Sequence, residues 1–310
     1  MRARSAEPFV IDYHLGMRIL GIAIALCVAA NADAKDATKT EIAKLVDQQI
    51  DAASDRADAG DADAIYASGV KIAFSDAAHE PLIEPKDIQL MRLQNHDDKH
   101  LEIQLTRDGQ AAWVSLETEV KMASYGRDPC SAAAVDMYFT QKLRISDVVV
   151  KTPAGWRVVA SAWSEPIGNV EANKAAKAGT AKLPALKAEG GDATLRAAFT
   201  KLGTDGFSAP ATARKDLIVF GSAPGERTTS GPAFAKAWNA TWAKHVAIDG
   251  PIVAGLAPSG TTGWVIANLT LSKISGKSTY GVPFRVFFVF DQDAAGAWQL
   301  VHAQFATTKG

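Results

Sequence analysis

Proton transfer near neutral pH calls for a histidine, or for a carboxylate lifted out of its ordinary range by an apolar site. The chain carries 6 histidines in 310 residues. One of them, His302, shares the segment Trp298-Gln299-Leu300-Val301-His302-Ala303-Gln304-Phe305 with Gln304. Taken by itself, His302 reads as a satisfied or partly exposed histidine on a strand near the end of the chain. Glu226, followed by Arg227, could face a pocket mouth, or it could be a solvated or capping residue in a turn before a helix. Glu117 and Glu119 share a strand face with Lys121, which reads as an exposed sheet surface and not as a catalytic carboxylate pair. Tyr66, Trp238, Trp242 and Trp264 are pocket walls or ordinary core.

Metal and phosphate chemistry find less support. His96-Asp97-Asp98-Lys99-His100 sets two histidines four residues apart with acids between them. The stretch is very polar, is expected to be a loop joining a helix to a strand, and lacks the helical pattern of a zinc enzyme, so no metal site is assigned. Gly203, Gly206, Gly221 and Gly225 lack the lysine and spacing of a phosphate cradle and read as turn glycines, so no cofactor is expected. The 33 basic and 34 acidic side chains leave a formal charge of -1, which recruits neither nucleic acid nor anionic lipid.

The elements that would position these groups come in two copies. Lys71-Ile72-Ala73-Phe74 is answered by Leu217-Ile218-Val219-Phe220, an offset of 146. Trp113 to Val120 alternates apolar and polar residues, as does Trp264 to Leu271, and the offset has become 151, implying an insertion around Gly250 to Gly263. Phe139 to Ile145 pairs with Phe284 to Phe290, and Trp156-Arg157-Val158-Val159 pairs with Trp298-Gln299-Leu300-Val301. Turn-rich Lys151 to Gly155 and Asp293 to Ala297 precede the last pair and predict hairpins.

Each copy therefore reads as helix, short strand, helix and three longer antiparallel strands. The first leading helix is expected over Glu41 to Ala57, with Ile42, Leu45, Val46 and Ile50 at helical spacing and Thr40 as its cap. The second is shorter, capped by Asp192, with Leu195, Phe199 and Leu202 inward. An amphipathic sheet and amphipathic helices bury each other's apolar faces, which gives an α+β class of two tandem curved antiparallel sheets on N-terminal helices. Residues 35–165 form the first domain, 166–191 a linker rich in Ala, Lys and Gly, and 192–310 the second domain.

Before these, Arg18 precedes the apolar run Ile19 to Ala30, and Ala32-Asp33-Ala34 supplies small residues for cleavage. Residues 1–34 read as leader and signal peptide, with Met17 an alternative start, and the expected location is periplasmic or secreted, with no membrane association after cleavage. Removing this segment takes Cys27 with it and leaves Cys130 as the one cysteine, so the mature chain has no internal disulfide.

Phe220-Gly221-Ser222-Ala223-Pro224-Gly225-Glu226-Arg227, the Ser230-Gly231 helix start with Trp238 and Trp242 after it, and the closing Trp298 to Phe305 strand resemble the SnoaL-like branch of the nuclear transport factor 2-like superfamily. Copy one is similar more loosely, with Phe74 to Glu80 in place of the glycine-rich turn. The resemblance implies a cone enclosing an apolar pocket, with sheet-mediated pairing as a homodimer or, here, as an intramolecular pseudo-dimer. It also implies working polar groups on the last strand. That makes His302 the catalytic candidate, and Glu226, Trp238, Trp242, Trp264, Arg285 and Gln304 the candidate ligand contacts. Copy one has Ala160 and Ala162 where copy two has His302 and Gln304. Three functions are compatible with these residues: a binding protein for a small apolar ligand or a partner, an isomerase, lyase or hydrolase using His302, and a structural interaction module.

Overall fold

The computed structural model describes residues 34–308, apart from 54–58, 75–81, 88–92, 128–133, 188–189, 207–213 and 276–277. The signal segment, both cysteines, the end of the expected first helix and the copy-one turn at 75–80 lie outside the described residues. Residues up to Glu41 form one unit and Ile42–Gly310 the other. In the smaller unit, residues 34–41 open helix α1 (34–52), and Thr40 is inside the helix and not its cap, its hydroxyl donating to Asp36 O at 2.9 Å. The larger unit carries both sheets.

Its first half continues α1, adds α2 (Ala59–Ile65) and builds a sheet from β1 (Ile72–Phe74), β2 (Leu82–Ile83), β3 (Leu93–Leu105), β4 (Ala111–Arg127), β5 (Ala134–Thr152) and β6 (Gly155–Ser164), in the order β2-β1-β6-β5-β4-β3. Where the first copy is read to have its second helix, the described residues hold a three-residue 3-10 turn, Pro85–Asp87, and 88–92 lie outside the described residues. Helix α3 (Asn169–Ala178) follows. The second half has β7 (Gly190–Gly191), α4 (Ala193–Asp205), β8 (Ile218–Phe220), β9 (Arg227–Thr228), α5 (Gly231–Thr241), β10 (Trp242–Ile248), β11 (Val253–Leu256), β12 (Thr262–Ser275), β13 (Ser278–Gln292) and β14 (Trp298–Ala306). Its sheet runs β7-β11-β12-β13-β14-β8-β9, with β10 also on β12. Two sheets on helices make the α+β tandem the alternation predicts. Asp192 caps α4 by accepting from Leu195 N at 2.8 Å, and Ser230 caps α5, accepting from Ala233 N at 3.2 Å.

Each half has a fourth long strand beyond the three that alternation predicts. The polar stretch His96 to His100 lies in β3, at the edge of its sheet, where charged side chains are compatible with a strand and discourage further pairing. In the second half the insertion at Asp249 to Ile252 splits the counterpart of β3 into β10 and β11.

The strand registers also adjust two of the repeat pairings. Arg144 lies opposite Glu117 and Arg285 opposite Asn268, so β5 and β13 correspond at an offset of 141, four residues from the pairing that alternation suggests. An even slip keeps every side chain on its own face. In the short strands Ile72 lies opposite Ser161 and Val219 opposite Ala303, which makes Ile72 the counterpart of Val219 and moves that offset by one.

Two cores fill the sheet-and-helix units, one around Ile42, Leu116, Ile145 and Val158, the other around Leu195, Phe199, Val286 and Phe288. A third joins the opposite faces of the two sheets through Trp113, Val148, Ala160, Ala162, Ile218, Phe287 and Val289. The stretch after α3 is held against this assembly: Leu186 is buried, and Pro184 O accepts from Asn268 Nδ2 at 3.1 Å and from Arg285 Nη2 at 2.6 Å.

Candidate functional site

The second half carries a half-open cavity of about 440 Å³ between α5 and the inward face of β12, β13 and β14. Alternation on these strands sends Leu271, Phe284 and Phe305 inward, and helical spacing on α5 adds Phe234 and Trp238, with Trp242 at the helix end. The rings support one another, Trp238 lying 5.8 Å from Phe305 and Trp242 5.5 Å from Phe284, centroid to centroid. Glu226, Arg227 and Lys273 stand at the rim. Glu226 accepts from Asn169 Nδ2 at 2.7 Å and from Ala223 N at 3.0 Å, while Arg227 donates to Glu102 at 2.8 Å. The arrangement is an apolar slot with a polar mouth, suited to holding a small molecule by its body.

Of the residues singled out in the sequence, Glu226, Trp238 and Trp242 line this cavity, whereas His302, Gln304, Arg285 and Trp264 lie on the opposite sheet face, toward the first half. The cause is a β-bulge. Phe290 pairs with Leu300 and Val289 with His302, leaving Val301 as an extra residue. In simple alternation His302 and Gln304 would share the inward face of Leu300. The extra residue turns both outward and gives the inward positions to Ala303 and Phe305. Arg285 follows from Phe284 and Val286 being inward on either side of it.

His302 is fully buried in the seam between the sheets, stacked on Trp113 with centroids 5.3 Å apart and edge-on to Phe220. Its Nε2 is 2.7 Å from Ser146 Oγ, which donates in turn to Gln304 Oε1, and Gln304 Nε2 donates to Ser164 Oγ at 2.9 Å. This chain requires the Nε2–H tautomer of His302, with Ser146 accepting from it. Burial drives the His302 pKa down to about 3, so the ring is neutral across the physiological range. It bonds across the two halves and does not line the cavity. Arg144 joins the same seam: it is fully buried, donates to Glu117 at 3.4 Å, to Ala223 O at 2.9 Å and to Gly221 O, and burial lowers its pKa.

A group outside the sequence candidates lies within the first core. Asp147, on the inward face of β5, is fully buried, its Oδ1 accepting from Gln49 Nε2 at 3.2 Å. Gln49 also donates to Ser161 Oγ at 3.3 Å, and Trp163 Nε1 donates to that same oxygen at 2.9 Å. Burial lifts the Asp147 pKa to about 6 against the opposing hydrogen bonds of Ser161 and Gln49, and burial followed by the nearby Asp147 raises that of Tyr66. The registers make Phe288 and Ala303 the second-half counterparts of Asp147 and Ser161. At these positions the first half thus carries polar groups inside its core where the second half is apolar. The signal in the sequence is phase, since Asp147 falls on the inward alternation of Leu143, Ile145 and Val149.

Among the described residues, one set of three metal-ligating side chains converges, Asp47 on α1 with His96 and Asp98 on β3, their donor atoms within 4.8 Å of one another. His96 Nδ1 is 2.9 Å from Asp98 Oδ1, and burial, then Asp98, raises the pKa of Asp47. His100, the other member of the sequence pair, is exposed and has a positive φ of 56° beside a bulge in β3.

No sequence family and no curated protein matches the chain. Solved structures similar to it include a nuclear transport factor 2-like superfamily protein from Salmonella enterica serovar Typhimurium, at 16% identity and a TM-score of 0.32, covering 44% of this chain and 95% of that one. A ketosteroid isomerase-like protein from Erwinia carotovora is 16% identical with a TM-score of 0.29, covering 37% of this chain and 91% of its own. A nuclear transport factor 2-like protein with a cystatin-like fold from Novosphingobium aromaticivorans is 16% identical with a TM-score of 0.28, covering 36% of this chain and 79% of its own. The α+β architecture stands on this chain's own strand registers and packing.

Proposed function

We propose that this is an exported binding protein that holds a small, largely apolar molecule in the cavity of its second half, without catalysis. The observation that carries the reading is the aromatic-walled cavity of about 440 Å³. That volume falls within the range of small-molecule sites, and its lining sets aromatic rings beside polar groups such as Glu226, Arg227 and Lys273. At ~30 Å³ per liquid water it equals roughly fifteen waters, room for a ligand of modest size. Burying such a ligand against Trp238, Trp242 and Phe305 would supply about 25 cal/mol per Å² of apolar contact. The first half serves this cavity from outside, its sheet pairing with the second sheet as an intramolecular pseudo-dimer. Export rests on Arg18 and the apolar run Ile19 to Ala30.

A neutral fluorescent probe, N-phenyl-1-naphthylamine, tests the reading. Leu271→Trp places a larger ring into the cavity from a wall residue. The wild type should bind the probe with a rise in emission, and Leu271→Trp should lose it while melting cooperatively. Equal binding by a folded Leu271→Trp variant, or no binding by the wild type, would reject the cavity as the site.

A further inference from the structure

We propose that the ligand is a small monoanion, an apolar body bearing one carboxylate or comparable acid group, and that Lys273 anchors it. The inference rests on the small-molecule reading above and adds the ligand's charge. At the rim, the charged groups differ in what they have left to offer. Both oxygens of Glu226 accept hydrogen bonds, from Asn169 and from Ala223 N. Arg227 is paired with Glu102 at 2.8 Å. Lys273 lines the cavity, yet among the described residues no carboxylate lies within 4.0 Å of its Nζ.

The position of that ammonium is nevertheless fixed. Lys273 is opposite Trp242 across β10 and β12, its Nζ lies 5.4 Å from the centre of the Trp242 ring, and it donates to Asn173 Oδ1 at 3.2 Å. Asn173 Oδ1 is itself held by Tyr280 Oη, which donates to it at 3.1 Å. A neutral amide orients the charge without cancelling it. An ammonium has three donors, so Lys273 keeps donors for an incoming acceptor beside an aromatic wall. Half-buried surroundings strengthen an ion pair over its value in water. Lys177 adds positive charge nearby, its Nζ 5.2 Å from the Tyr280 ring. A ligand with its apolar end on Trp238 and Phe305 and its acid at Lys273 uses every part of the site.

Three probes of one length and different charge separate the possibilities: octanoate, 1-octanol and octylamine, each used to displace N-phenyl-1-naphthylamine from the full chain at pH 7.5. Octanoate should displace the probe at about one-tenth the concentration octanol needs, a difference of one well-placed ion pair, and octylamine should be weakest. Lys273→Met keeps an apolar stem over Trp242, so it should bring octanoate to the level of octanol, each read relative to the variant's own affinity for the probe. Octanol matching octanoate in the wild type, or an octanoate advantage that survives Lys273→Met, would overturn the assignment of charge while the cavity reading stands. Failure of the probe itself to bind would overturn both.

Discussion

Two fully buried titratable groups oppose each other, and removing one exposes the other. The carboxyl of Asp147 has its pKa raised to about 6, against about 3.8 in an unfolded chain, so the folded state holds its proton more tightly. The stability this contributes is complete below pH 3.8 and is lost as the pH rises through 6. At 1.36 kcal/mol per pKa unit the difference is about 3 kcal/mol. His302 works the other way: its pKa is lowered to about 3 from 6.5, so its contribution is complete above 6.5 and is lost on acidification. Between pH 6.5 and 4 it loses about 3 kcal/mol, nearly what Asp147 regains. Asp147→Asn removes one side of this balance at constant shape. The amide can also donate to Gln49 Oε1, which, like Asp147 Oδ2, has no hydrogen-bond partner among the described residues. The variant should be more stable than the wild type by about 3 kcal/mol at pH 7.5, with the difference shrinking to near zero at pH 4. Urea unfolding followed by circular dichroism across that range measures it, and surface carboxylates common to both proteins cancel in the difference. An equal or less stable variant at pH 7.5, or a difference that does not change with pH, would refute a buried, proton-favouring Asp147.

Other perturbations probe the seam between the sheets. Ser146→Ala strands His302 Nε2 and Gln304 Oε1 without their shared hydroxyl and should lower stability by about 1–3 kcal/mol in chemical unfolding. Arg144→Met leaves Glu117 and the carbonyls of Gly221 and Ala223 without their donor, and a loss of about 3–5 kcal/mol is expected by the same assay. Arg285→Ala frees Pro184 O from its shorter hydrogen bond, so limited trypsin digestion should cut faster at Lys182 and Lys187, read by mass spectrometry.

The strands were legible because alternation is local: Val114, Leu116 and Val120 announce an inward face wherever their sheet ends up. The edge strand β3 was not, because the run His96 to His100 has the polarity of a loop. Which face of β14 meets the cavity was hidden for another reason. It depends on the bulge at Val301, and one added residue reverses the side on which His302 emerges. Nor does alternation show that the outward face is also buried. Trp113, Arg144 and Ser146 are covered by residues far away in the chain, such as Gly221 and His302, and only that partner turns a polar strand face into a seam. Trp238 and Trp242 were readable as pocket walls because helix spacing and the helix end determine their side. Lys273 was not, since the role proposed for it rests on there being no carboxylate within 4.0 Å of its Nζ among the described residues.

Native mass spectrometry of the full chain purified from its own host, beside Leu271→Trp prepared the same way, tests the small-molecule cavity most directly. The wild type should carry one adduct of low mass, which activation in the gas phase releases as an anion, and the variant should fly without it. A wild type at its bare polypeptide mass, or an adduct retained in equal measure by the filled cavity, would contradict it.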